Sequence, residues 1–324
     1  MEATKRILIV TLSNIGDVIL TTPVITSLAA RYPEAKITVV TSLRAEGVLE
    51  GSRFIHDIVI YNKKSGLSGQ LRFLNQLRRH RYDLVVDLRR TAIAYLVRAK
   101  RRSPLFRHYR QMSMRNRHLE VLGMMKLECP EAPQFDFFSK VDDNNALEKV
   151  HAEGLSTARD WILVAPVAAS ELKTWRLDGF RDLLRGLLRE RSEDILLVGD
   201  MRERELAAPL VDLNPKRIRN LAGRTTLPEL AALIARASLL IANDSAAMHL
   251  GYELNRPVVA LFGPTHYKKS GYTGEKFRIV REPVECSPCE RPRCRFARQA
   301  CFEDLKADKV MKACEELLRV HTSS

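Results

Sequence analysis

Polar residues that could move a proton or bind a nucleotide stand where the predicted strands end. The first group is Asn14, Gly16 and Asp17, which follows the predicted strand Arg6–Thr11. Asp17 could act as a general base, or it could be an acid that complements the dipole at the start of a helix. Gly16 would let the backbone turn tightly or approach a ligand closely.

A second group follows the predicted strand Leu239–Ala242. Asp244 and Ser245 are residue types that favour a helix N-terminus. The free backbone N–H groups of such a helix, starting near Ala246, and its positive dipole end suit a pyrophosphate. His249 falls about one turn further on, where it could contact that pyrophosphate or simply belong to the core.

Two more loops add a cation and a hydroxyl group. Lys173 follows the predicted strand Trp161–Ala165 and offers a mobile charge for a phosphate. Gly263 and Thr265 lie in the turn Phe-Gly-Pro-Thr after the predicted strand Val258–Phe262. Ligands of open parallel sheets bind beyond the carboxyl ends of the strands. Together the polar loops therefore predict a ligand site more strongly than any one of them does.

The absence of three motifs narrows the chemistry. The sequence has no G-x-G, which excludes the Rossmann dinucleotide fingerprint, and no G-x-x-x-x-G-K-[ST] phosphate loop. It also has no Asp-x-Asp, which argues against a donor held through a bridging metal ion. What remains is a nucleotide-diphosphate site made of helix N-termini and cations.

Strands and helices are predicted to alternate along the chain. The predicted strands are nearly continuous apolar runs, as in a parallel sheet covered on both faces. Helices are predicted at about Gly16–Arg31 and at Leu227–Arg236, and a polar stretch at Lys140–Ser156 interrupts the alternation. The remaining predicted strands are Lys36–Thr41, Asp57–Tyr61, Asp83–Leu88 and Ile195–Val198.

This organisation predicts an α/β protein with two Rossmann-like, doubly wound domains that face a cleft. We place the domains at residues 1–155 and 156–324, in agreement with a length of 324 residues. No run of about 18 apolar residues occurs, and the absence of a signal-peptide pattern predicts a cytoplasmic protein.

The positive charge of the chain is concentrated in one segment. Residues Lys63 to His118 include 16 Lys and Arg but only Asp83 and Asp87, so this segment accounts for the whole net charge of +14. A surface that carries only positive charge is expected to bind a polyanion. Nucleic acid, anionic lipid and a phosphorylated glycolipid all satisfy that expectation. The alternative is a solubilising surface, although such surfaces usually mix both signs.

Four of the six cysteines form one cluster, with the spacing C-x2-C-x4-C-x6-C. Four thiolates could hold a structural zinc ion, but ordinary zinc ribbons separate two C-x2-C pairs by a longer loop. The alternative is a cluster of reduced or redox-labile thiols. The four residues are Cys286, Cys289, Cys294 and Cys301.

Two long segments resemble motifs of a known family. The segments ILIVTLSNIGDVILTTPVITSLAARYPEAKITVVTS and LIANDSAAMHLGYELNRPVVALFGPT are similar to motifs of the ADP-heptose:lipopolysaccharide heptosyltransferases, glycosyltransferase family 9. The resemblance extends from about residue 5 to residue 305 and is loosest over 90–155. The segment CSPCERPRCRFARQAC is similar to a stretch of the heptosyltransferase II branch.

The resemblance implies a GT-B fold, with the acceptor on the N-terminal domain and the donor, ADP-L-glycero-D-manno-heptose, on the C-terminal domain. It also implies an inverting transfer of heptose that needs no metal. In this resemblance Asp17 matches the general base, Lys173 matches the lysine on the donor phosphates, and Asp244 matches the acid that binds the heptose.

The remaining donor positions also follow from the resemblance. Ser245, Ala246 and His249 match the start of the phosphate-binding helix. Thr225 falls where the family contacts the adenine end, and Glu203 matches a ribose-binding glutamate. Gly263 and Thr265 of the Phe-Gly-Pro-Thr turn complete the predicted donor contacts.

On the acceptor side the predicted contacts are Asn14, Gly16, Arg89 and Arg90. The implied acceptor is the anionic inner core of lipopolysaccharide, either Kdo-lipid A or its heptosylated form. The basic segment would bind its carboxylates and phosphates. The protein would then be peripheral on the inner membrane, at the surface of the inner leaflet.

The sequence departs from the family pattern at several positions. Ala168 and Ala169 stand where some members carry phosphate-binding hydroxyl groups, and His266 stands where an aspartate is common. Arg89 and Arg90 replace Gln-Gly or similar residues. These changes leave the acceptor and the sugar open.

Two other functions are compatible with parts of the pattern. The first is a GT-B enzyme that uses another nucleotide sugar or epimerises one, although an epimerase would need further cleft acids and histidines. The second is a nucleic-acid-binding protein with a zinc module. Aromatic residues make up only 6% of the chain and no base-stacking motif is present, so we expect no nucleic acid partner.

Overall fold

The computed structural model describes residues 4–11, 14–157 and 160–321. Leu12 and Ser13, in the first of the two family motifs, lie outside the described residues. The chain forms two compact units, Met1–Phe137 and Phe138–Ser324.

The first unit contains a five-stranded sheet in which all the pairings are parallel. Its strand order is β3-β2-β1-β4-β5, so the first strand lies in the middle. All the predicted strands of this unit are present. The strands are β1 (Arg6–Val10), β2 (Lys36–Thr41), β3 (Asp57–Ile60), β4 (Arg81–Asp87) and β5 (Arg98–Arg102).

Strand β5 was not predicted. Its sequence RAKRR has no apolar run, and four of its five side chains are exposed. It forms because its backbone pairs with β4 at the edge of the sheet, where the side chains need no core.

The helix predicted over Gly16–Arg31 is two helices, α1 (Ile15–Ile19) and α2 (Thr22–Arg31). Pro23 causes the break, because proline has no N–H to donate and its ring clashes with the preceding turn. Two hydroxyl groups satisfy the carbonyl groups at the break. Thr21 Oγ1 donates to the Val18 carbonyl at 2.6 Å, and Thr22 Oγ1 donates to the Ile19 carbonyl at 2.8 Å.

The other helices of the first unit cover the sheet. A short 3₁₀ helix at Leu43–Val48 belongs with them. The remaining α-helices are α3 (Leu67–Arg78), α4 (Ile93–Leu96) and α5 (Met114–Met124).

The second unit contains a six-stranded sheet in the order β11-β10-β9-β6-β7-β8. Its named pairings are also parallel. The predicted strands are again present, and β8 and β11 are additions at the two edges. The strands are β6 (Trp161–Ala165), β7 (Asp194–Leu197), β8 (Ile218–Asn220), β9 (Leu239–Asn243), β10 (Val258–Phe262) and β11 (Phe277–Arg281).

The helices of the second unit include the one predicted at Leu227–Arg236, which begins with a capping box between Thr226 and Glu229. Two 3₁₀ helices lie at Glu171–Lys173 and Ala208–Leu213. The α-helices are α6 (Lys140–Ala152), α7 (Leu177–Glu190), α8 (Arg204–Ala207), α9 (Leu227–Arg236), α10 (Ala246–Glu253), α11 (Tyr267–Ser270), α12 (Ala300–Glu303) and α13 (Ala307–His321). Within the described residues no helix is both long and apolar enough to cross a membrane.

The boundary predicted at residues 155/156 is too late, since the units divide after Phe137. Helix α6 belongs to the second unit because it packs on α9. Two ion pairs join these helices: Lys149 Nζ lies 2.5 Å from Glu229 Oε2, and Arg236 Nε lies 2.6 Å from Asp143 Oδ1. Local polarity indicated a linker here, but these charged residues face a partner helix.

The core of the second unit is closed by Trp175, whose side chain is fully buried. Its indole N–H donates to the Leu305 carbonyl at 3.1 Å, and its ring lies edge-on to Phe180 with the centroids 4.9 Å apart. Trp175 lies two residues after Lys173. The loop that carries Lys173 is therefore anchored in the core.

Two helical glycines should respond oppositely to alanine. A Cβ at Gly251 in α10 would lie 2.7 Å from Leu240 and Val258, whereas one at Gly186 in α7 would make ordinary contact with Met311 at 3.6 Å. We expect Gly251→Ala to lower the free energy of unfolding by about 1–3 kcal/mol through overpacking. Gly186→Ala should raise it by about 0.5–1 kcal/mol, because alanine loses less backbone entropy in a helix.

Urea denaturation of both variants, monitored by tryptophan fluorescence, checks this pair. Trp161 and Trp175 both lie in the second unit with the two glycines. Equal shifts of the midpoint in the two variants would show that α10 is not pressed against β9 and β10 as the structure describes.

Candidate functional site

The predicted donor residues lie on loops that follow five neighbouring strands of the second sheet, β10-β9-β6-β7-β8. Because these strands are parallel, all five loops emerge at the same edge. In strand order the loops carry Thr265, Asp244, Lys173, Glu203 and Thr225. The sheet thus collects on one edge residues that are far apart in the sequence.

Asn243, the last residue of β9, holds the middle of this edge together. It is fully buried, and its side-chain amide donates to the carbonyl groups of Ala165 and Pro166 at 3.3 and 3.0 Å. Its Oδ1 accepts from the backbone N–H of Trp175 at 2.9 Å. One amide therefore ties the end of β9 to the end of β6 and to the loop of Lys173.

Lys173 and Asp244 form an ion pair at this edge. Lys173 Nζ lies 2.7 Å from Asp244 Oδ2, and His249 Nε2 lies 3.9 Å from Asp244 Oδ1. The Asp244 side chain is only 5% exposed, whereas the Lys173 side chain is 37% exposed. Lys173 can therefore reach a ligand phosphate while Asp244 remains a buried acceptor with two cationic or N–H neighbours.

Ser245 begins α10 with an extended backbone, and Ala246 is the first residue of the helix. Three buried polar atoms in the segments that follow β9 and β10 have no hydrogen-bond partner in the part of the protein that the structure describes. They are Ser245 Oγ, Thr265 Oγ1 and His266 Nδ1. Buried polar groups normally find partners. Because β9 and β10 are neighbouring strands, the segments that carry these atoms are adjacent, and a polar ligand there can supply the missing partners.

The Phe-Gly-Pro-Thr turn requires a glycine. A Cβ at Gly263 would lie 2.5–2.9 Å from the ring of Phe302. The cysteine-rich segment covers this turn through hydrogen bonds. Ser287 Oγ donates to the Gly263 carbonyl at 2.6 Å, and the Cys289 N–H donates to the Pro264 carbonyl at 3.0 Å.

The same segment also reaches the lysine loop, where Gln299 Nε2 donates to the Leu172 carbonyl at 2.7 Å. Burial raises the pKa of the Cys301 thiol, and the neighbouring thiols of the cluster act less strongly in the same direction. No group of three or more potential ligands able to hold a metal is found among the described residues. The zinc interpretation of Cys286, Cys289, Cys294 and Cys301 therefore has no support in the structure. What the structure shows instead is a segment that contacts both the Phe-Gly-Pro-Thr turn and the loop of Lys173.

Glu203 and Thr225 lie on two loops joined by a hydrogen bond from the Gly223 N–H to the Gly199 carbonyl at 2.9 Å. Glu203 is partly buried, and its Oε2 accepts from the Asp200 N–H at 2.8 Å. Burial raises the pKa of Glu203 to about 6. A Cβ at Gly199 would lie 2.3 Å from Glu203 Oε2, so Gly199 makes room for this carboxyl.

In the first unit, Asp17 lies in α1 and accepts a hydrogen bond from Asn14 Nδ2 at 2.9 Å. Gly16 precedes it in the same helix. His118 is buried behind this helix, with Nδ1 3.1 Å from the Leu20 carbonyl. Burial lowers the pKa of His118, and the hydrogen bond to the Leu20 carbonyl and the charge of Asp17 oppose this only in part. A neutral imidazole thus supports the end of α1.

Arg89 and Arg90 follow β4, which lies beside β1, so their loop emerges next to that of Asp17. The buried Asp87 carboxylate fixes this loop by accepting from the Arg89 N–H and from the N–H and hydroxyl of Thr91, at 2.6–2.8 Å. Arg90 has a left-handed backbone with φ of 58°, and its guanidinium lies 4.8 Å from the Tyr109 ring centroid.

A cavity of about 650 Å³ lies beside Arg90. Its lining contains two further basic side chains and the strongly exposed ring of Phe106. A basic cavity with an aromatic wall can accept an anionic sugar. The lining residues are Arg90, Leu105, Phe106, Arg107 and His108.

Part of the basic segment has an internal function. Several of its arginines donate to backbone carbonyl groups of the first unit and close off turns and the sheet edge. These arginines therefore help to stabilise the fold. Fewer positive charges of the segment are left to bind a polyanion than the sequence indicates. These arginines and their acceptors are Arg78 with Leu96, Arg101 with Met125, Arg102 with Ala94, Arg107 with Pro104 and Arg117 with Gln111.

Sequence reasoning did not single out Asn243, His118 or the contacts of Ser287 and Gln299. Asn243 was visible as the residue before the Asp-Ser pair, but its partners come from another strand. His118 carried no local signal at all, because its contact with Leu20 joins residues 98 positions apart.

Comparison with known proteins finds similarity to one family. A sequence model of glycosyltransferase family 9 (heptosyltransferase) matches residues 70–299. Lipopolysaccharide heptosyltransferase 3 of Escherichia coli K12 is 29% identical over 280 residues, which cover 78% of this chain and 80% of that protein.

Solved structures show the same fold. The ADP-heptose lipopolysaccharide heptosyltransferase II of E. coli matches with a TM-score of 0.78 and 22% identity, over 98% of this chain and 99% of that one. E. coli heptosyltransferase WaaC with ADP-2-deoxy-2-fluoro heptose matches with a TM-score of 0.71 and 19% identity, over 96% and 99% of the two chains. The prediction of two Rossmann-like domains in a GT-B protein is confirmed.

The raised pKa of Glu203 predicts a pH-dependent effect on stability. The folded protein keeps the Glu203 proton up to about pH 6, whereas the unfolded chain releases it near the ordinary value of 4.5. The protonated Glu203 side chain therefore contributes its full stabilisation of the fold below pH 4.5. This contribution is lost as the pH rises through about 6. As the pH rises from 4.5 to above 6, the free energy of unfolding of Glu203→Gln should increase by about 1 kcal/mol relative to that of wild type, after allowance for solvent screening.

Urea denaturation of both proteins between pH 4.5 and 7 measures this difference. The exposed Glu205 in α8, which begins just after Glu203, provides the control as Glu205→Gln. A stability difference between Glu203→Gln and wild type that stays constant with pH would contradict the burial of the Glu203 carboxyl.

Proposed function

This chain belongs to glycosyltransferase family 9, and we propose that it transfers heptose from ADP-L-glycero-D-manno-heptose to the inner core of lipopolysaccharide. Several relatives are named as lipopolysaccharide heptosyltransferases. One solved relative was captured with an ADP-heptose analogue. The cysteine segment supports the heptosyltransferase II branch.

The observation that carries the proposal is the arrangement around Lys173 and Asp244. A partly exposed ammonium lies 2.7 Å from a buried carboxylate, beside the N-terminus of α10. Ser245 Oγ and Thr265 Oγ1 are buried there with no hydrogen-bond partner among the described residues. Lys173, the helix N-terminus and the two hydroxyls can contact the two phosphates of a nucleoside diphosphate. Asp244 is left to accept from sugar hydroxyls.

The second unit is thus the proposed donor domain. In it Ala246 and His249 would complete the phosphate contacts, and Gly263 would keep the turn close to the ligand. Glu203 and Thr225 lie on joined loops at the other end of the same edge. In our proposal they would contact the ribose and the adenine of the bound donor.

The first unit is the proposed acceptor domain. Asn14 and Gly16 lie at the start of α1, and Arg89 and Arg90 lie on the adjacent loop after β4. The cavity beside Arg90 would take a phosphate or carboxylate of Kdo-lipid A or of its heptosylated form. The lipid part of such an acceptor would hold the enzyme at the inner leaflet of the cytoplasmic membrane.

We propose a single displacement that inverts the anomeric centre and requires no metal ion. Asp17 accepts the proton of the acceptor hydroxyl while that oxygen forms its bond to the anomeric carbon. The bond from the anomeric carbon to the phosphate oxygen breaks, and its electron pair leaves with ADP. Lys173 and the N-terminus of α10 stabilise the charge on the departing diphosphate. Asn14 orients the Asp17 carboxylate through its amide.

Replacement of the proposed base tests the reaction. We expect Asp17→Asn to lower turnover roughly 100-fold or more, because the variant cannot accept the proton, with little change in donor affinity. The measurement is ADP release from ADP-heptose, with and without heptose-deficient lipopolysaccharide. The exposed Glu34 offers the matched control Glu34→Gln.

If Asp17→Asn has the same turnover as wild type, Asp17 is not the general base and only complements the dipole at the start of a helix. Absence of ADP release by the wild type over a set of truncated cores would contradict the proposed donor and acceptor. UDP-sugars in the same assay then test the alternative of another nucleotide sugar.

Replacement of the proposed phosphate ligand tests the donor site separately. We expect Lys173→Met to weaken ADP binding about 10- to 100-fold, the effect of losing one hydrogen bond to a charged group. Isothermal titration with ADP measures it. Lys100→Met is a matched control, because it also removes the lysine partner of a mostly buried carboxylate, that of Asp83, but in the first unit. Equal ADP affinity in the two variants would show that Lys173 does not contribute to ADP binding.

A further inference from the structure

Helix α3 presents apolar side chains to solvent. Leu67 and Leu71 are one turn apart on the helix and are 83% and 60% exposed. Leu74 lies on the same flank but packs partly against the core of the first unit. Phe73 and Leu77 supply the buried face of the helix. Leu67 and Leu71 therefore extend beyond what the fold needs.

Helix α4 adds to this exposed apolar surface. Arg78, on the same flank of α3 three turns after Leu67, donates from Nε to the Leu96 carbonyl at 2.7 Å. This bond places the end of α4 against α3. Tyr95 and Leu96 at this end are 53% and 40% exposed. We call the four exposed side chains, Leu67, Leu71, Tyr95 and Leu96, the α3–α4 surface.

The charged residues of α3 and of the segments just before and after it are all basic. The sequence from Lys63 to Tyr82 contains six basic residues and no acidic residue. Lys63 and Lys64 precede the helix, and Arg72 and Arg79 lie on its solvent-exposed side two turns apart. All four of these side chains are exposed.

We propose that the α3–α4 surface docks on an anionic lipid bilayer, with Leu67 and Leu71 inserted at the interface and the surrounding Lys and Arg side chains on lipid headgroups. Each basic side chain near an anionic membrane adds electrostatic attraction, and exposed leucines add the apolar burial that interfacial helices use. The leucines stand on a convex helix flank, which suits a bilayer better than a peptide that needs a groove. The inference extends the proposed function, because a lipid-linked acceptor lies in such a membrane.

Vesicle co-sedimentation of the full-length protein tests the docking. Wild type should bind vesicles of phosphatidylethanolamine and phosphatidylglycerol more strongly than vesicles of phosphatidylcholine alone, and added salt should weaken this binding. Leu67→Ser/Leu71→Ser should reduce the partition coefficient on the anionic vesicles about tenfold or more. Arg72→Glu/Arg79→Glu should reduce it by a similar factor through repulsion.

Val141→Ser/Leu206→Ser is the matched control, because these side chains are 66% and 58% exposed on helices of the second unit. It should bind vesicles as wild type does, and circular dichroism should show all variants folded. Binding of Leu67→Ser/Leu71→Ser equal to wild type, or equal binding of wild type to both lipids, would overturn the proposal.

Activity on a lipid-free core oligosaccharide separates this inference from the proposed function. Leu67→Ser/Leu71→Ser should retain wild-type turnover on that soluble acceptor and lose turnover only on vesicle-bound acceptor. Inactivity of wild type on both acceptors would refute the transfer but leave the vesicle result standing. Equal loss on both acceptors would show that the substitution damages the enzyme and would count against a docking surface.

Discussion

The side-chain amide of Asn243 is the interaction on which the second unit depends. It joins the ends of β9 and β6 through the carbonyl groups of Ala165 and Pro166, and it fixes the backbone of Trp175. Because it is fully buried, each of its bonds would leave an unpaired polar group if lost. Asn243 thus helps to fix the position of Lys173 relative to Asp244, and that pair is the centre of the proposed donor site.

A second constraint comes from the C-terminal part of the chain. The cysteine-rich segment contacts the Phe-Gly-Pro-Thr turn through Ser287 and Cys289 and the lysine loop through Gln299. Phe302 packs so closely on Gly263 that no larger residue fits there. The segment thus supports these two loops through hydrogen bonds and packing.

The first unit divides its positive charge between two uses. Some arginines, such as Arg102 and Arg107, donate to backbone carbonyl groups that the edge of the sheet and its loops leave without partners. Others, such as Arg72 and Arg79, are directed to solvent. The same composition therefore stabilises an irregular part of the fold and supplies the charge that we propose to act on a membrane.

The sequence alone determined which residues lie at strand ends, because apolar runs mark buried parallel strands and polar residues follow each of them. It therefore predicted two α/β units and the loops of Asp17, Lys173, Asp244 and Thr265. Tertiary structure decided which loops meet, since the order β10-β9-β6-β7-β8 is set by pairing between distant segments. It also assigned α6 to the second unit and formed β5 from a charged sequence, because packing and backbone pairing at an edge are not encoded in local hydrophobicity.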